Sequence, residues 1–246
     1  MHLSVITLAI AIVASAGMPP KPPAPEKPRV NYTVIEGLPI TITEEGVELI
    51  AEFEVGGKSY YVKAYQRPIW PGHLSGVTWG IGYDAGYNTA AQIKADWGPY
   101  VDKSTLAAMM SCAGIKKSAA KWKRQEVRWK ISIPFDVAMK VFLKRTVPRF
   151  AAMTKRAYPN IEFAPPTIQD MALSQSFNRG TSTRGHSRRH ILWQTQASAR
   201  RDYAAMPQFC RDSEVVWRGK SVYNGLKRRR FAEADHGEGR GKYLQN

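Results

Sequence analysis

One predicted helix constrains the fold most, because its core-facing stripe ends on a carboxylate. Thr41 or Thr43 can cap a helix whose first turn carries two glutamates, Glu44 and Glu45, which suit the positive end of the helix dipole. Its apolar residues have the i, i+3, i+4 spacing of a buried face: Val47, Ile50 and Ala51. Glu54 occupies the next position of that face, just before a Gly-Gly pair. Partial burial disfavours the charged form of a carboxyl group, so Glu54 is a candidate proton donor; the alternative is a frayed helix end with Glu54 in water.

The segment after this helix changes to a β-type pattern. Residues 58 to 65 are aromatic and β-branched, which predicts a strand, and residues 68 to 76 predict a loop. Residues 77 to 83 predict a second strand that contains glycines, which favour the close approach of another group or a ligand. A semi-buried Glu followed by a small antiparallel hairpin can form one wall of a groove for an extended polymer.

These residues resemble one enzyme family. Glu54, Tyr65 and the run Thr78-Trp79-Gly80-Ile81-Gly82-Tyr83 are similar to the phage-type lysozymes, glycoside hydrolase family 24 and its endolysin relatives, where a hairpin with a T-x-G-x-G pattern follows a helix-terminal Glu. Those enzymes cleave the β-1,4 bond between N-acetylmuramic acid and N-acetylglucosamine in peptidoglycan. The resemblance implies that Glu54 is the general acid and that Thr78 helps to place the attacking water.

The sequence departs from that family in two ways. Thr78 lies 24 positions after Glu54, which is longer than the family's usual spacing, and residues 55 to 77 contain no Asp or Glu. A two-carboxylate mechanism needs a second group, for which Asp84 is the nearest candidate and Ser75, His73 or a Thr78-bound water are the others. A site with a single Glu also suits a lytic transglycosylase, in which a hydroxyl of the sugar attacks and an anhydro product forms.

Beyond Asp84 the pattern is helical. An apolar stripe runs from Phe135 to Leu143, and a second one, predicted to follow a Thr167 cap, ends at Gln175. The sequence therefore predicts an α+β domain over residues 41 to 246, with a small antiparallel β-hairpin lobe and a mainly helical lobe. The resemblance implies the lysozyme-like version of this architecture.

Two later segments are also similar to the family. Residues 176 to 180 match its F-N-x-G turn near the cleft, although Asn178 also fits an ordinary helix end. The predicted groove residues are Tyr65, Tyr83, Asn178 and Arg179. In the family an Arg of the C-terminal helix steadies the catalytic Glu, which leaves Arg228, Arg229 and Arg230 as candidates here; at least two of them are expected to form a solvated basic face.

The N-terminal segment predicts export of the protein. Residues 3 to 17 are apolar or small, which fits a secretory signal peptide over residues 1 to 17, but no Lys or Arg precedes them. A weak membrane anchor or a mis-assigned start are the alternatives. Residues 18 to 40 form a proline-rich linker. We therefore expect an exported protein of the periplasm or the extracellular space.

Composition bounds the partners. The formal net charge is +16, which favours anionic partners. Residues 116 to 130 carry seven Lys or Arg, one Glu, Trp122 and Trp129. A solvated helical face is the default, and an anionic membrane or wall surface is the alternative. Peptidoglycan glycan strands are the expected partner of a monomer, without specific nucleic acid.

No cofactor or metal is expected. His186 and His190 have the i, i+4 spacing of zinc peptidases, but Ser and two Arg stand between them where that motif requires Glu. Serine-hydrolase, nucleotide-binding and C-x-x-C redox motifs are missing from the sequence. Cys112 and Cys210 allow at most one disulfide.

Overall fold

A computed structural model describes residues 33–240. This part of the chain is mostly helical and contains a two-stranded antiparallel sheet, β1 (Thr78–Trp79) and β2 (Tyr83–Asp84), as expected for the α+β class. The helices are α1 (Glu44–Val55), α2 (Gly57–Ala64), α3 (Ala90–Trp97), α4 (Lys103–Met110), α5 (Lys117–Val127), α6 (Phe135–Val141), α7 (Val147–Ala157), α8 (Pro166–Arg179), α9 (Arg189–Ala199), α10 (Met206–Asp212) and α11 (Tyr223–Gly237). A π-helical segment, Phe142–Thr146, joins α6 to α7.

The first helix forms as its sequence predicts. The Thr43 hydroxyl caps α1 by accepting a hydrogen bond from the Gly46 amide at 3.0 Å. The apolar stripe is buried, and Gly56 ends the helix in the left-handed region at φ 68°. Asp170 of α8 accepts hydrogen bonds from the amide and the hydroxyl of Thr43, so the start of α1 is fixed to the helical core.

The packed structure begins earlier than residue 41. Val34 pairs with Thr43 in an isolated antiparallel bridge, and Ile40 is buried, so the end of the predicted linker belongs to the fold. The predicted signal segment and the rest of the linker lie outside the described residues. None of the helices described between residues 33 and 240 has the length and the apolar character that a transmembrane span requires.

The strand predicted over residues 58 to 65 is wrong, because this segment forms α2. Gly56 and Gly57 both have positive φ, which lets the chain turn and start a second helix immediately. Tyr61 is the buried residue of α2: its ring packs edge-on against Phe135, and its hydroxyl donates to the Ile133 carbonyl at 3.0 Å. Its neighbours Tyr60 and Val62 remain exposed, so a single anchor decides the packing.

The strand predicted over residues 77 to 83 is instead a complete hairpin. β1 and β2 pair with Thr78 opposite Asp84 and Trp79 opposite Tyr83. The turn between them holds Gly80 and Gly82 at φ 58° and 70°, values that favour glycine. A Cβ at Gly80 would lie 2.9 Å from the Trp97 ring, so the close approach predicted for these glycines is made there by a side chain of α3.

Helix α8 forms the centre of the helical part. Ten of its residues are buried, and it contacts α1, α7, α10 and α11. Gln175, predicted at the edge of the core, is fully buried and exchanges two hydrogen bonds with Gln194. Thr167 is not the cap: the helix begins at Pro166, and the Thr167 hydroxyl donates to the Gly237 carbonyl. Because α1 and α11 both pack on α8, their side chains can meet.

Candidate functional site

The carboxylate of Glu54 meets an arginine from the other end of the chain. Glu54 lies in the last turn of α1 with 21% of its side chain exposed, and its Oε1 is 2.5 Å from Nη1 of Arg229 on α11. Arg229 itself is almost fully buried. Burial alone would lower the pKa of Arg229, but the negative charges of Glu233 and Glu54 outweigh it and raise the pKa. The guanidinium is therefore a permanent cation beside Glu54.

A buried charge cluster supports this pair. Glu233 accepts a hydrogen bond from Arg229 Nε at 2.9 Å and forms a second ion pair with Arg230 at 2.9 Å. The Ser174 hydroxyl also donates to Glu233, at 2.6 Å. With Glu54, the cluster contains two carboxylates and two guanidinium groups, so its formal charges cancel. Such neutralisation allows charged groups to remain inside a core.

The burial of these arginines corrects one expectation from the sequence. Arg229 and Arg230 are 3% and 0% exposed, and Arg228 is the exposed member of the three. The expectation that at least two of them form a solvated face is therefore wrong. Helical spacing gives the reason, because Arg229 and Glu233 stand at i, i+4 and Arg230 and Glu233 at i, i+3 on the side of α11 that packs on α8.

Glu54 lines a cleft of about 850 Å³. The hairpin contributes Gly82, Tyr83 and Asp84 to its wall, and Phe177 of α8 contributes an apolar side chain. This volume lies within the range of ligand-binding clefts, so the cleft has room for part of an extended ligand. Of the residues proposed from the sequence, the cleft brings together Glu54, Tyr83 and Asp84.

Backbone amides hold the carboxylate of Asp84. Its Oδ1 accepts hydrogen bonds from the amides of Gly76 at 2.9 Å and Gly86 at 2.8 Å. Burial raises the pKa of Asp84 above its usual value, and the two amides and the charge of Lys116 offset only part of this effect. A carboxylate has room for about four hydrogen bonds, so Asp84 can also bind a water from the cleft.

The opposite side of the cleft is cationic. Lys144 and Arg145 come from the π-helical segment, and Arg149 follows on α7. π-Helical turns are rare and occur frequently at functional sites. Asp96 of α3 also lines the cleft, where it accepts a hydrogen bond from the Tyr83 hydroxyl at 3.0 Å. Burial first, and Asp96 second, raise the pKa of Tyr83, so its phenol stays protonated as the donor.

Sequence reasoning missed these cationic residues and Asp96. Arg145 and Arg149 are i, i+4 neighbours in a segment whose apolar stripe draws attention to the core, and no motif surrounds them. The one available signal was the basic excess of residues 144 to 149, which include Pro148.

Thr78 is adjacent to the cleft but does not line it. It is 8% exposed, its hydroxyl donates to the Gly76 carbonyl at 3.4 Å, and its backbone pairs with both Ile69 and Asp84. The residues that line the cleft do not include Tyr65, which ends α2, or Ser75 and His73, which lie in the loop before β1. Among the three side chains proposed as the second group, Asp84 is thus the one in the cleft.

The other two proposed groove residues line a different pocket. Asn178 accepts a hydrogen bond from Arg230 at 2.9 Å, and the Arg179 guanidinium lies 4.7 Å from the centre of the Trp217 ring. Both residues border a pocket of about 360 Å³ that shares no lining residue with the cleft. Burial, followed by the charge of Arg230, lowers the pKa of Arg179 to about 10.

Metal and disulfide chemistry find no support in this part of the chain. Residues 33–240 contain no group of three or more His, Cys, Asp or Glu arranged to hold a metal ion. His190 is buried on α9, where desolvation and Arg189 lower its pKa to about 4. Cys112 and Cys210 are both buried, free thiols.

Comparison with known proteins leaves the family open. The sequence matches no protein-family model, and no curated protein is significantly similar to it.

Proposed function

We propose that this protein is a peptidoglycan-degrading muramidase of the endolysin type, which hydrolyses the β-1,4 bond between N-acetylmuramic acid and N-acetylglucosamine. The observation that carries the proposal is the cleft itself. It places a helix-terminal carboxyl group, Glu54, and a hairpin carboxyl group, Asp84, on the lining of one open groove. Two carboxyl groups in one cleft are what most glycoside hydrolases use.

Glu54 is the proposed general acid. It must carry a proton when the glycosidic oxygen leaves, and its partner Arg229 must therefore release it. Glu233 binds the same guanidinium through Nε, so Arg229 keeps one carboxylate partner while Glu54 is protonated, although the cluster then carries one net positive charge. Arg229 is thus a positioning residue that returns Glu54 to one orientation after each turnover.

Asp84 is the proposed second group. Its ionised form accepts a proton from a water that attacks the anomeric carbon, and the amides of Gly76 and Gly86 fix its direction. Thr78 pairs with Asp84 across the hairpin, so we assign it the role of supporting Asp84 through its backbone. The resemblance implies instead that the Thr78 hydroxyl helps to place the attacking water, but this side chain is buried.

The cationic wall suits this polymer. Stem peptides of peptidoglycan carry carboxylates, and Lys144 and Arg149 offer positive charge along the cleft, while Arg145 pairs with Asp96 at 3.7 Å. Tyr83 and Phe177 add ring surface for the sugars.

Mass spectrometry of the muropeptides released from purified peptidoglycan tests the proposal. Wild type should release products with reducing N-acetylmuramic acid ends. Glu54→Gln removes the proton donor at nearly constant volume and should lower the rate by about a thousandfold. Glu48→Gln is the matched control, since it makes the same change on an exposed position of α1 and should keep wild-type activity.

Two results would contradict the proposal. Anhydro ends would identify a lytic transglycosylase on the same bond. Retained wall binding without release of any product would identify a cell-wall or polyanion-binding protein.

A further inference from the structure

We propose that a second surface, separate from the cleft, binds an anionic lipid membrane. This basic-aromatic surface comprises the cationic side chains around the end of α2 and along α5 together with two exposed tryptophans: Lys63, Arg67, Arg124, Arg128, Trp122 and Trp129. It shares no lining residue with the cleft, and the inference does not depend on the proposed muramidase activity.

The centre of this surface is a pocket of about 330 Å³. Four of its ten lining residues are Lys or Arg, and none is acidic. Arg124 donates through Nε to the Pro68 carbonyl at 3.0 Å, which holds its guanidinium group in the pocket. Burial and the neighbouring charge of Arg128 lower the pKa of Arg124, a sign of positive charge that no carboxylate compensates.

The nearby carboxylate does not neutralise this charge. Glu126 is the acidic residue of the segment from 116 to 130, and it binds Lys123 at 2.9 Å. The Nε of Arg128 is buried without a hydrogen-bond partner among the described residues. Elsewhere in the protein, Arg229 and Arg230 are matched by Glu233 and Glu54. The pocket therefore has donors and charge available for the phosphate of an external group.

The aromatic residues indicate what carries that phosphate. Trp122 and Trp129 are 66% and 71% exposed. They are seven positions apart, which is close to two helical turns, so both lie on the same side of α5 and the turn that follows it. Val62, which lines the pocket, is also half exposed. Exposed indoles beside Lys and Arg are typical of a helix that lies in the headgroup region of a membrane.

A nucleic acid fits this surface less well. Recognition of single strands needs free aromatic faces on which bases can stack. The guanidinium groups of Arg67 and Arg128 lie over the ring of Trp129, 4.5 and 5.0 Å from its centre, and already use ring surface that a base would need. The rest of the Trp129 side chain, which is 71% exposed, remains available for insertion among headgroups.

Vesicle sedimentation with the full chain tests the inference. The affinity for anionic phosphatidylglycerol vesicles and the affinity for zwitterionic phosphatidylcholine vesicles are both measured. The ratio of the first affinity to the second removes any contribution to binding that does not depend on the negative charge of the lipid. The double variant Arg67→Gln/Arg128→Gln should lower this ratio about thirtyfold, because each cation near an anionic surface contributes about fivefold and the two factors multiply. Trp122→Ala, which truncates an exposed side chain, should weaken binding to phosphatidylglycerol about tenfold.

A charge-matched control separates the site from the net charge. Lys103→Gln/Arg200→Gln removes two exposed cations outside this surface and should change the ratio about twofold or less. A decrease of the affinity ratio in this control as large as in Arg67→Gln/Arg128→Gln would overturn the inference, because binding would then depend on the net charge and not on this surface. A loss of duplex DNA or peptidoglycan binding as large as the loss for phosphatidylglycerol would also overturn it. Glu54→Gln should keep full vesicle binding, whatever its effect on muropeptide release.

Discussion

The two carboxylates of the cleft are held in different ways. Glu54 is fixed by a side chain, the guanidinium of Arg229, which is in turn fixed by Glu233. Asp84 is fixed by the backbone, through the amides of Gly76 and Gly86. The first arrangement depends on a balance of buried charges, and the second depends on a close approach of two chain segments.

This difference determines what each carboxylate tolerates. A charge balance is lost when one partner is removed, because the remaining charges stay buried. The hydrogen bonds from the two backbone amides to Asp84, which together form its backbone cradle, are lost when an extra atom keeps the two chain segments apart. No side chain can replace these donors. Substitutions of the supports therefore separate the two cases, and a substitution of Asp84 tests its role in the reaction.

Removal of Glu233 should have the largest effect. Glu233→Ala leaves Arg229 and Arg230 with one carboxylate fewer inside the core, and we expect the free energy of unfolding to fall by about 3 to 5 kcal/mol. Urea unfolding measures the change. Glu126→Ala removes an exposed partner of Lys123 and should leave the transition where it is. Equal midpoints for Glu233→Ala and wild type would show that the charge balance does not stabilise the core.

Asp84→Asn should change both rate and pH dependence. We expect kcat/KM to fall about a hundredfold, because the variant cannot accept a proton from water. In wild type the raised pKa of Asp84 should give an acidic limb, with activity lost as the pH falls through a value above the usual 3.8. The variant should lose this limb.

The pH profile of Asp136→Asn provides the control. This change neutralises an exposed carboxylate on α6 and should preserve the limb. A limb that persists unchanged in Asp84→Asn would assign it to another group and would remove Asp84 from the mechanism.

Gly76→Ala should have a smaller effect on stability. The added Cβ would lie 2.3 Å from the Gly86 nitrogen and 2.5 Å from Asp84 Oδ1, so the two segments must separate, at a cost of about 2 kcal/mol. Gly225→Ala is the matched control in α11, where nothing lies within 4 Å of the new atom; it should stabilise the helix by about 0.5 kcal/mol. Thermal unfolding of both variants measures the difference. A Gly76→Ala variant as stable as wild type would mean that the cradle of Asp84 is adaptable.

Local sequence patterns predicted α1 well and α2 poorly. In α1 the cap, the apolar stripe and the terminating glycine all indicate the same element, and the structure confirms them. In α2 the aromatic and β-branched residues favour a strand, but the left-handed glycines before it and the burial of Tyr61 against Phe135 select a helix. Propensity was overruled there by a contact with a residue 74 positions away in the chain.

The sequence by itself determined the α+β class of the described residues, the apolar stripe that Glu54 ends and the glycine that terminates α1. Only the tertiary structure decided that Arg229 meets Glu54, that Asp84 lies in the cleft while Thr78 turns from it, and that Lys144, Arg145 and Arg149 form the cationic wall. The physical reason is range. Caps, stripes and turns follow from residues within a few positions of one another, whereas Glu54 and Arg229 are 175 positions apart and meet because α1 and α11 pack on α8.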